Sequence, residues 1–305
     1  MSLSRSGTIL LFDVPLLVAL QYDQSLASTG GTLICPKTTK TLLEEDFLEL
    51  HSLCTNLHKW VLHQWPWTLR FDDLKRCSPS FLHIREWTLE HCTYIDRATI
   101  FTILSMMPAL DALRIAYFYN ANEGPTPMMT FPRPACRLSR VELAYGGGLL
   151  PCQWLLCNSH NTLKRVSLCS AGAKAEDLLG ALEQCKRIEH LSYAADSHDW
   201  IPMPPTIDAC SRLTSLTIDV EIAVGQAGSL PRTLRELALT RRPMYVFITF
   251  EQCQAMVQDV LPRLPLLRQL ALENLYFRSR PAYRSLRDEC MERRIELVVP
   301  RSRPA

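Results

Sequence analysis

Strong net charge and long apolar runs are both missing from the sequence. Its 33 basic and 31 acidic residues leave a formal net charge of +2, which gives no general reason to expect nucleic acid or membrane lipid as a partner. The apolar segment 9–20 is interrupted by Asp13 and Pro15, so it is a poor signal peptide and is too short to span a bilayer. We therefore expect a cytoplasmic or nuclear protein with no nucleic-acid partner and no membrane contact.

The motifs that carry catalysis or hold metals are also missing. The chain has no phosphate-binding glycine loop and no G-x-S-x-G motif, and the glycine triplet at 146–148 is better explained as a turn. Its twelve cysteines include no C-x-x-C pair, and His58 and His63 lie at the wrong spacing for two ligands on one helical face. We expect no enzyme, no metal site and no cofactor. The cysteines are expected to be buried thiols, and a secreted disulfide framework is the alternative.

What the sequence does contain is a repeated phrase, L-x-x-L-x-L, in which aromatic and β-branched residues also stand in for leucine. The nine copies begin at Leu57, Ile84, Leu110, Leu138, Leu163, Ile188, Leu213, Leu234 and Leu267. Most copies start 25 to 28 residues apart, and the last two intervals are 21 and 33 residues. This is the period of leucine-rich repeats, which stack because one repeat cannot bury its own apolar face.

The alternation inside the phrase predicts a short strand whose fourth and sixth positions point into the protein. The fourth positions are expected to form a buried ladder, which comprises Leu113, Val141, Val166, Leu191, Leu216, Leu237 and Leu270. We therefore predict an α/β leucine-rich-repeat solenoid, horseshoe-like, with a parallel inner sheet and outer helices and loops. An ordinary α/β domain is the alternative.

The repeats divide the chain into an N-terminal helical or irregular cap at 1–56, a solenoid of about nine repeats at 57–300 and a tail at 301–305. Helical periodicity and capping residues predict helices at 41–53, 96–107, 149–158, 175–185, 249–260 and 281–294, with a last strand at 295–299. The short repeat that starts at Leu213 has room only for a turn around Gly225 and Gly228.

Cysteine recurs three residues before the repeat start, at Cys54, Cys185 and Cys210. The phrases C-T-N-L, C-K-R-I and C-S-R-L resemble the C-x-x-L-x-x-L-x-L start of repeats in F-box/leucine-rich-repeat proteins, in the degenerate form typical of fungal members. The resemblance covers roughly residues 45–300. It implies a substrate-recognition adaptor of a cullin-type ubiquitin ligase.

In that family an N-terminal helical F-box docks on a Skp-type linker, and residues 10–70 would do so here. The segment 13–20 resembles the Leu-Pro opening of the module, and Trp60 with the segment 65–71 resembles its tryptophan-rich close. The middle departs from the family pattern, because Gly30, Gly31 and Pro36 interrupt the expected helix. The F-box is therefore degenerate or missing. The alternative is a stand-alone leucine-rich-repeat scaffold with no ubiquitin-ligase link.

The concave face of the predicted solenoid is where we expect a protein target to bind, since every repeat contributes side chains to it at regular spacing. Arg114, Arg140 and Arg165 come from three successive repeats on strands about 4.8 Å apart. With Glu142, His190 and Thr217 they form the candidate partner-binding set. Three guanidinium groups would suit an acidic peptide or a phosphate, and Glu142 alone cannot neutralise them. The alternative is a solvated surface.

Two other surfaces are open as binding sites. The segment 121–136 contains four prolines and is a loop longer than the repeat needs, so it is the next candidate for a partner. The arginine-rich segment 278–294 would be a weaker candidate for nucleic acid, but its arginines alternate with acidic residues, which favours a solvated helix.

Overall fold

The computed structural model describes residues 8–10, 31–35, 56–63, 71–92, 95, 97–117, 132–144, 152–169, 181–194, 210–240, 246–273, 275–277 and 280–299. The chain forms two compact units, residues 1–162 (unit 1) and 163–305 (unit 2). Within the described ranges, every helix is too short or too polar to cross a membrane. The domain boundaries expected at residues 56 and 300 stay predictions.

Unit 1 is a run of parallel strands with helices between them. Its elements in chain order are β1 Thr8–Leu10, β2 Gly31–Cys35, β3 Leu57–His63, α1 Phe71–Phe81, β4 Glu86–Glu90, α2 Arg97–Ser105, β5 Ala112–Ala116, β6 Arg140–Ala144 and α3 Cys152–Leu156. The strands β1 to β6 pair with one another in chain order and in parallel.

Unit 2 is built in the same way and adds a separate pair of short strands. Its elements are β7 Arg165–Cys169, β8 His190–Ala194, β9 Ser215–Asp219, α4 Val220–Gly225, a 3₁₀ turn Ala227–Ser229, β10 Glu236–Thr240, β11 Val246–Ile248, α5 Phe250–Ala255, a π-helical turn Met256–Val260, a 3₁₀ turn Leu261–Arg263, β12 Gln269–Glu273, β13 Leu275–Phe277, α6 Arg280–Glu292 and β14 Glu296–Val298. The strands β7, β8, β9, β10, β12 and β14 pair in that order and in parallel. β11 pairs with β13.

The strands are in phase, so equivalent residues of neighbouring repeats lie side by side. In unit 1, Trp87 of β4 pairs with Trp60 on one side and with Leu113 on the other. In unit 2, Leu216 of β9 pairs with Leu191 and Leu237. The predicted strands are confirmed in all nine repeats, and each unit has the α/β leucine-rich-repeat solenoid architecture.

The backbone between repeats is held by a second regular contact, just before each strand. In unit 1 the amide of Asp111 donates to the carbonyl of Arg85 at 2.9 Å, and the amide of Ser139 donates to the carbonyl of Asp111 at 2.8 Å. The same hydrogen bond recurs in unit 2, where the amide of Thr214 donates to the carbonyl of Glu189 at 2.9 Å. These bonds fix where each strand begins, and therefore which of its residues point inward.

The predicted ladder of fourth-position residues is confirmed as buried in each unit, since all seven are at most 3% exposed. In unit 1 the ladder begins with two tryptophans. Trp60 and Trp87 stack with ring centroids 5.5 Å apart, and Phe81 stacks on Trp60 at 5.3 Å. Trp60 is therefore part of the repeat core. Packing accounts for this tryptophan, and an F-box is not needed to explain it.

The N-terminal region differs from the expectation. Residues 8–10 and 31–35 of the cap form strands, β1 and β2, where helical or irregular structure was expected. Residues 31–35 read G-T-L-I-C, a β-branched and apolar run that pairs with β3 and extends the parallel pattern. The helix expected at 41–53 lies outside the described residues.

Two helices were missed by sequence patterns. α1 carries Pro79, a residue that argues against helix, but it buries Leu74 and Phe81 against the core. The region after Leu213 was expected to hold only a turn, yet it forms α4, because the side chain of Asp219 accepts a hydrogen bond from the amide of Glu221 at 2.7 Å and caps the helix.

The other predicted helices are present in the described part of the chain. The capping box of Thr249 and Gln252 is confirmed, and the helix after it continues through a π turn to Val260. The helices expected at 96–107, 149–158 and 281–294 are observed as α2, α3 and α6. Of the helix expected at 175–185, residues 175–180 lie outside the described part of the chain.

Nine cysteines have described side chains; all nine are free thiols, and all of them but Cys157 are buried. Cys185 and Cys210 occupy the same position before successive strands of unit 2. Burial raises the pKa of Cys185 to about 12 and that of Cys136 to about 11. These cysteines are thus packing residues of the repeat, and their thiolates are disfavoured.

The register predicts opposite outcomes for neighbouring substitutions in β9. Leu216 is fully buried, so Leu216→Ala should lower the free energy of unfolding by roughly 2–5 kcal/mol. Thr217→Ala, one residue along on the opposite face, should change it by at most about 0.5 kcal/mol. Chemical denaturation of both variants checks this. Equal losses would mean that the register is wrong.

The thiols should react in the order of their exposure. In the native protein at pH 8, we expect Cys157 to be alkylated by iodoacetamide before Cys185, by more than a factor of ten, because Cys185 is buried and its pKa is raised to about 12. Site-resolved mass spectrometry measures both rates, and denaturant should equalise them. Comparable native rates would contradict the burial of Cys185.

Candidate functional site

The strands of unit 1 present an outward surface, termed here face 1, formed by the residues of β3 to β6 that alternate with the ladder. It consists of Lys59, Val61, His63, Glu86, Thr88, Glu90, Ala112, Arg114, Ala116, Arg140, Glu142 and Ala144. Of these outward residues, Val61, Ala112, Ala116 and Ala144 are buried.

Face 1 carries a first ion-pair group centred on Glu86. Lys59 Nζ lies 2.9 Å from Glu86 Oε2, and Arg140 Nη2 lies 3.2 Å from Glu86 Oε1. Arg140 reaches Glu86 from two strands away, because the intervening residue in register is Ala112. A larger side chain at 112 would stand between them.

A second group is centred on Arg114. Its Nε lies 2.9 Å from Glu90 Oε1, and its Nη1 lies 3.0 Å from Glu142 Oε1. Glu90 also lies 2.8 Å, through Oε2, from His63 Nδ1. Arg114 is therefore held between two carboxylates on the strands that flank it.

This arrangement changes the electrostatic argument for the predicted site. Lys59, Arg114 and Arg140 are matched by Glu86, Glu90 and Glu142. The expectation that Glu142 alone faces the arginines was wrong, since Glu86 and Glu90 also pair with them. The solvated, internally neutralised alternative is the better description of face 1.

The third arginine of the predicted set, Arg165, is exposed and begins β7 in unit 2. The outward surface of unit 2, termed face 2, has small residues along its middle row. Ser167, Ser192, Thr217, Ala238 and Ala271 lie side by side in register and are half-buried. The predicted residues His190 and Thr217 both lie on face 2 with intermediate exposure.

Sequence patterns missed one feature at the ends of β4 and β5. His91 and Tyr117 directly follow these strands, and both have φ of 55°, the left-handed region that bulky residues rarely adopt. Their rings stack in parallel, with centroids 4.3 Å apart and planes 5° from parallel. Their amides donate at 3.0 Å to Ala116 and Ala144 on the next strand. The only sequence signal is the recurrence of an aromatic ring after the strand, and it does not reveal the backbone conformation.

In the described part of the chain, no three His, Cys, Asp or Glu side chains come together as a metal site would require. A groove between α5 and α6 is lined by uncharged residues, among them Phe250, Cys253 and Val257. Burial raises the pKa of the Cys253 thiol to about 11, so it is not an activated nucleophile.

The cations beside Glu86 on face 1 shift its pKa. The hydrogen bond from Lys59 holds the pKa of Glu86 below its ordinary value, and the charges of Lys59 and Arg140 act in the same direction, against partial burial. Glu86 therefore favours its ionised form in the folded protein.

Comparison with known proteins gives no family. No family model matches the chain, and no curated protein matches it. Among solved structures, one match is the TLR13 chain in a crystal structure of a TLR13–ssRNA13 complex, with 13% identity and a TM-score of 0.44. The match covers 89% of this chain and 38% of the TLR13 chain, so this chain spans well under half of that protein's length. The leucine-rich-repeat architecture rests on the strand register described above.

The lowered pKa of Glu86 predicts a pH-dependent contribution to stability. At pH 7, Glu86→Gln should lower the free energy of unfolding by at most about 1 kcal/mol, since the pair is half exposed and screened by solvent. The contribution is present above the unfolded pKa of about 4.3 and is lost as the pH falls through the lower folded value. Chemical denaturation of the wild type and the variant at pH 7 and at pH 3 measures the difference in the free energy of unfolding at each pH.

The control is Glu236→Gln, at the same strand position in β10, for which no ion pair is recorded among the described residues. It should change the free energy of unfolding by at most about 0.5 kcal/mol at pH 7, as expected for an exposed substitution. An effect of Glu86→Gln that grows as the pH falls would contradict the pairing with Lys59 and Arg140.

Proposed function

We propose that the protein is a protein-interaction module whose partner lies along the outward strand faces, and that it binds rather than catalyses. The observation that carries the proposal is the in-phase register of the parallel strands. It sets equivalent side chains of successive repeats in straight rows, so an extended partner meets a regularly spaced surface. The candidate contacts are Arg114, Arg140 and Glu142 on face 1, and Arg165, His190 and Thr217 on face 2.

The two faces support different partner chemistry. Face 1 is balanced in charge, so it favours a partner with mixed polar groups over a strongly acidic one. Face 2 combines a half-buried row of small residues with the exposed Arg165 on β7, which gives room for a partner backbone and one cation for an acidic group, while Asp219, Glu236 and Glu273 add carboxylates on later strands. We therefore place the preference for an acidic or phosphorylated group at the β7 end of face 2, beside Arg165.

Binding without catalysis is supported by the side chains themselves. The described thiols other than that of Cys157 are buried, their pKa values are raised where a shift is resolved, and His63 of face 1 pairs with Glu90. The free thiols also support a reducing compartment, the cytoplasm or nucleus. TLR13 is in complex with single-stranded RNA in its crystal structure. The balanced charge of face 1 supports a protein partner here, because phosphate backbones need clustered cations.

The ubiquitin-ligase adaptor is the second candidate. The buried Cys185 and Cys210 at the resemblance positions favour it. The strand at Gly31–Cys35 disfavours it, because an F-box needs helix in that segment. We propose the stand-alone scaffold over the adaptor. Capture of a Skp-type linker by the full chain, in equimolar amounts and with purified components, would establish the adaptor instead.

The scaffold proposal is tested by identifying a partner through crosslinking in cells and titrating it against variants. Thr217→Lys, which fills the small row of face 2, should weaken the purified partner at least ten-fold. Gln254→Lys, an exposed change on α5, should alter its affinity by less than two-fold. If both variants bind equally well, the partner does not lie on face 2, and an RNA recovered in place of a protein would overturn the proposed partner class.

A further inference from the structure

Two neighbouring repeats of unit 2 enter their strands, β10 and β12, through the same turn. In each turn the amide of the first repeat residue donates to the carbonyl three residues earlier, at 3.2 Å for Leu234 and at 3.1 Å for Leu267. The two strands pair in parallel and in phase, so residues 231–235 and 264–268 occupy equivalent positions side by side. Together with Arg263 they are termed here the entry edge.

The entry edge carries four exposed arginines. Arg235 and Arg268 are equivalent residues of the two repeats, and the amide of Arg268 donates to the carbonyl of Arg235 at 2.7 Å, so their backbones lie about 4.8 Å apart. Arg232 lies three residues before Arg235, in the same turn. Arg263 ends the preceding 3₁₀ turn, and its Nη1 would lie 3.8 Å from a Cβ atom placed on Gly228. Its guanidinium therefore lies beside the chain that leads into the neighbouring turn.

These arginines are not neutralised by carboxylates in the part of unit 2 that the structure describes. The ion pairs of that part involve other residues. The exposed carboxylates nearest to them in sequence, Glu236 and Asp259, form no ion pair with them there. On face 1, by contrast, Lys59, Arg114 and Arg140 all pair with glutamates. The entry edge is therefore a positively charged strip whose guanidinium groups can donate to a partner.

An exposed apolar side chain lies among the four cations. Leu266 is 53% exposed and lies between Arg263 and Arg268 in the chain. The fold does not require an apolar residue at this turn position, because Thr233 occupies it before β10 and Arg212 occupies it before β9. An isolated exposed leucine is ordinary on a protein surface. Here it adds an apolar contact in the middle of a charged strip, and this combination indicates the kind of partner.

We propose that the entry edge docks a segment of a partner protein in which acidic residues flank an apolar side chain. The carboxylates would accept paired N–H donors from the four arginines, and the apolar side chain would cover Leu266. A nucleic acid would satisfy the arginines through its phosphates. It would leave Leu266 in water, however, and residues 231–235 and 263–268 include no aromatic ring on which its bases could stack. This inference rests on the proposed protein-binding function and adds a contact outside both strand faces.

The test uses a displayed library of random linear peptides, selected on the full chain and titrated against the double variant Arg235→Glu, Arg268→Glu. We expect the selected peptides to combine acidic residues with an apolar one, and to bind the double variant at least ten-fold more weakly because the reversed charges repel them. Leu266→Ser should weaken them at least three-fold. The control, Arg284→Glu with Arg287→Glu, makes the same change in net charge at exposed positions of α6 and should leave their affinity within two-fold.

Several outcomes overturn the docking site. Peptides that bind the wild type and the double variant equally would remove it and leave the strand faces intact as sites, because those are tested by Thr217→Lys. Selected peptides without acidic residues, an unchanged affinity of Leu266→Ser, equal losses on the control variant, displacement by an equimolar ten-nucleotide oligouridine, or no selected peptide at all would also overturn it. If circular dichroism shows the double variant unfolded, Arg235→Gln with Arg268→Gln replaces it and should weaken binding at least three-fold, and an unchanged affinity would again remove the site.

Discussion

The in-phase pairing of parallel strands is the constraint on which the rest of this protein depends. Side chains alternate along a strand, so a slip of one residue would turn every ladder residue to solvent. The hydrogen bonds before each strand, such as that from Asp111 to Arg85, prevent that slip by fixing where the strand begins. Burial of the tryptophan pair, the rows on both faces and the ion pairs all follow from this alignment.

Side-chain size across the register then decides the electrostatics. Arg140 meets Glu86 only because Ala112 lies between them in the intervening strand. Ala112 has no polar or charged group, but its small size allows charged side chains on nonadjacent strands to meet. Taken alone, each arginine of face 1 is a free cation. In the folded chain it belongs to a charge-balanced group, so a strongly acidic segment is no longer the expected partner of face 1.

The two faces show how one repeat scaffold can carry different surfaces. Face 1 has long charged side chains and buried alanines, and face 2 has a middle row of serine, threonine and alanine. Both faces are formed by parallel strands in phase, so the difference in their surfaces comes from the outward residues. The ladder tolerates this variation because outward residues contribute little to the core, and function can therefore diverge without loss of the fold.

The sequence alone determined the repeat, the nine strands and the inward ladder, because they depend on a local period and on alternation along each strand. It also determined the capping box of Thr249 and Gln252, which lies within four residues. Only the tertiary structure decided that Arg140 pairs with Glu86, that β2 joins the parallel pattern, and that His91 and Tyr117 adopt a strained backbone and stack. These features bring together residues that lie 26 to 54 positions apart in the sequence. Their energies depend on strand register, on the size of neighbouring side chains and on backbone conformation, and a local sequence pattern does not contain that information.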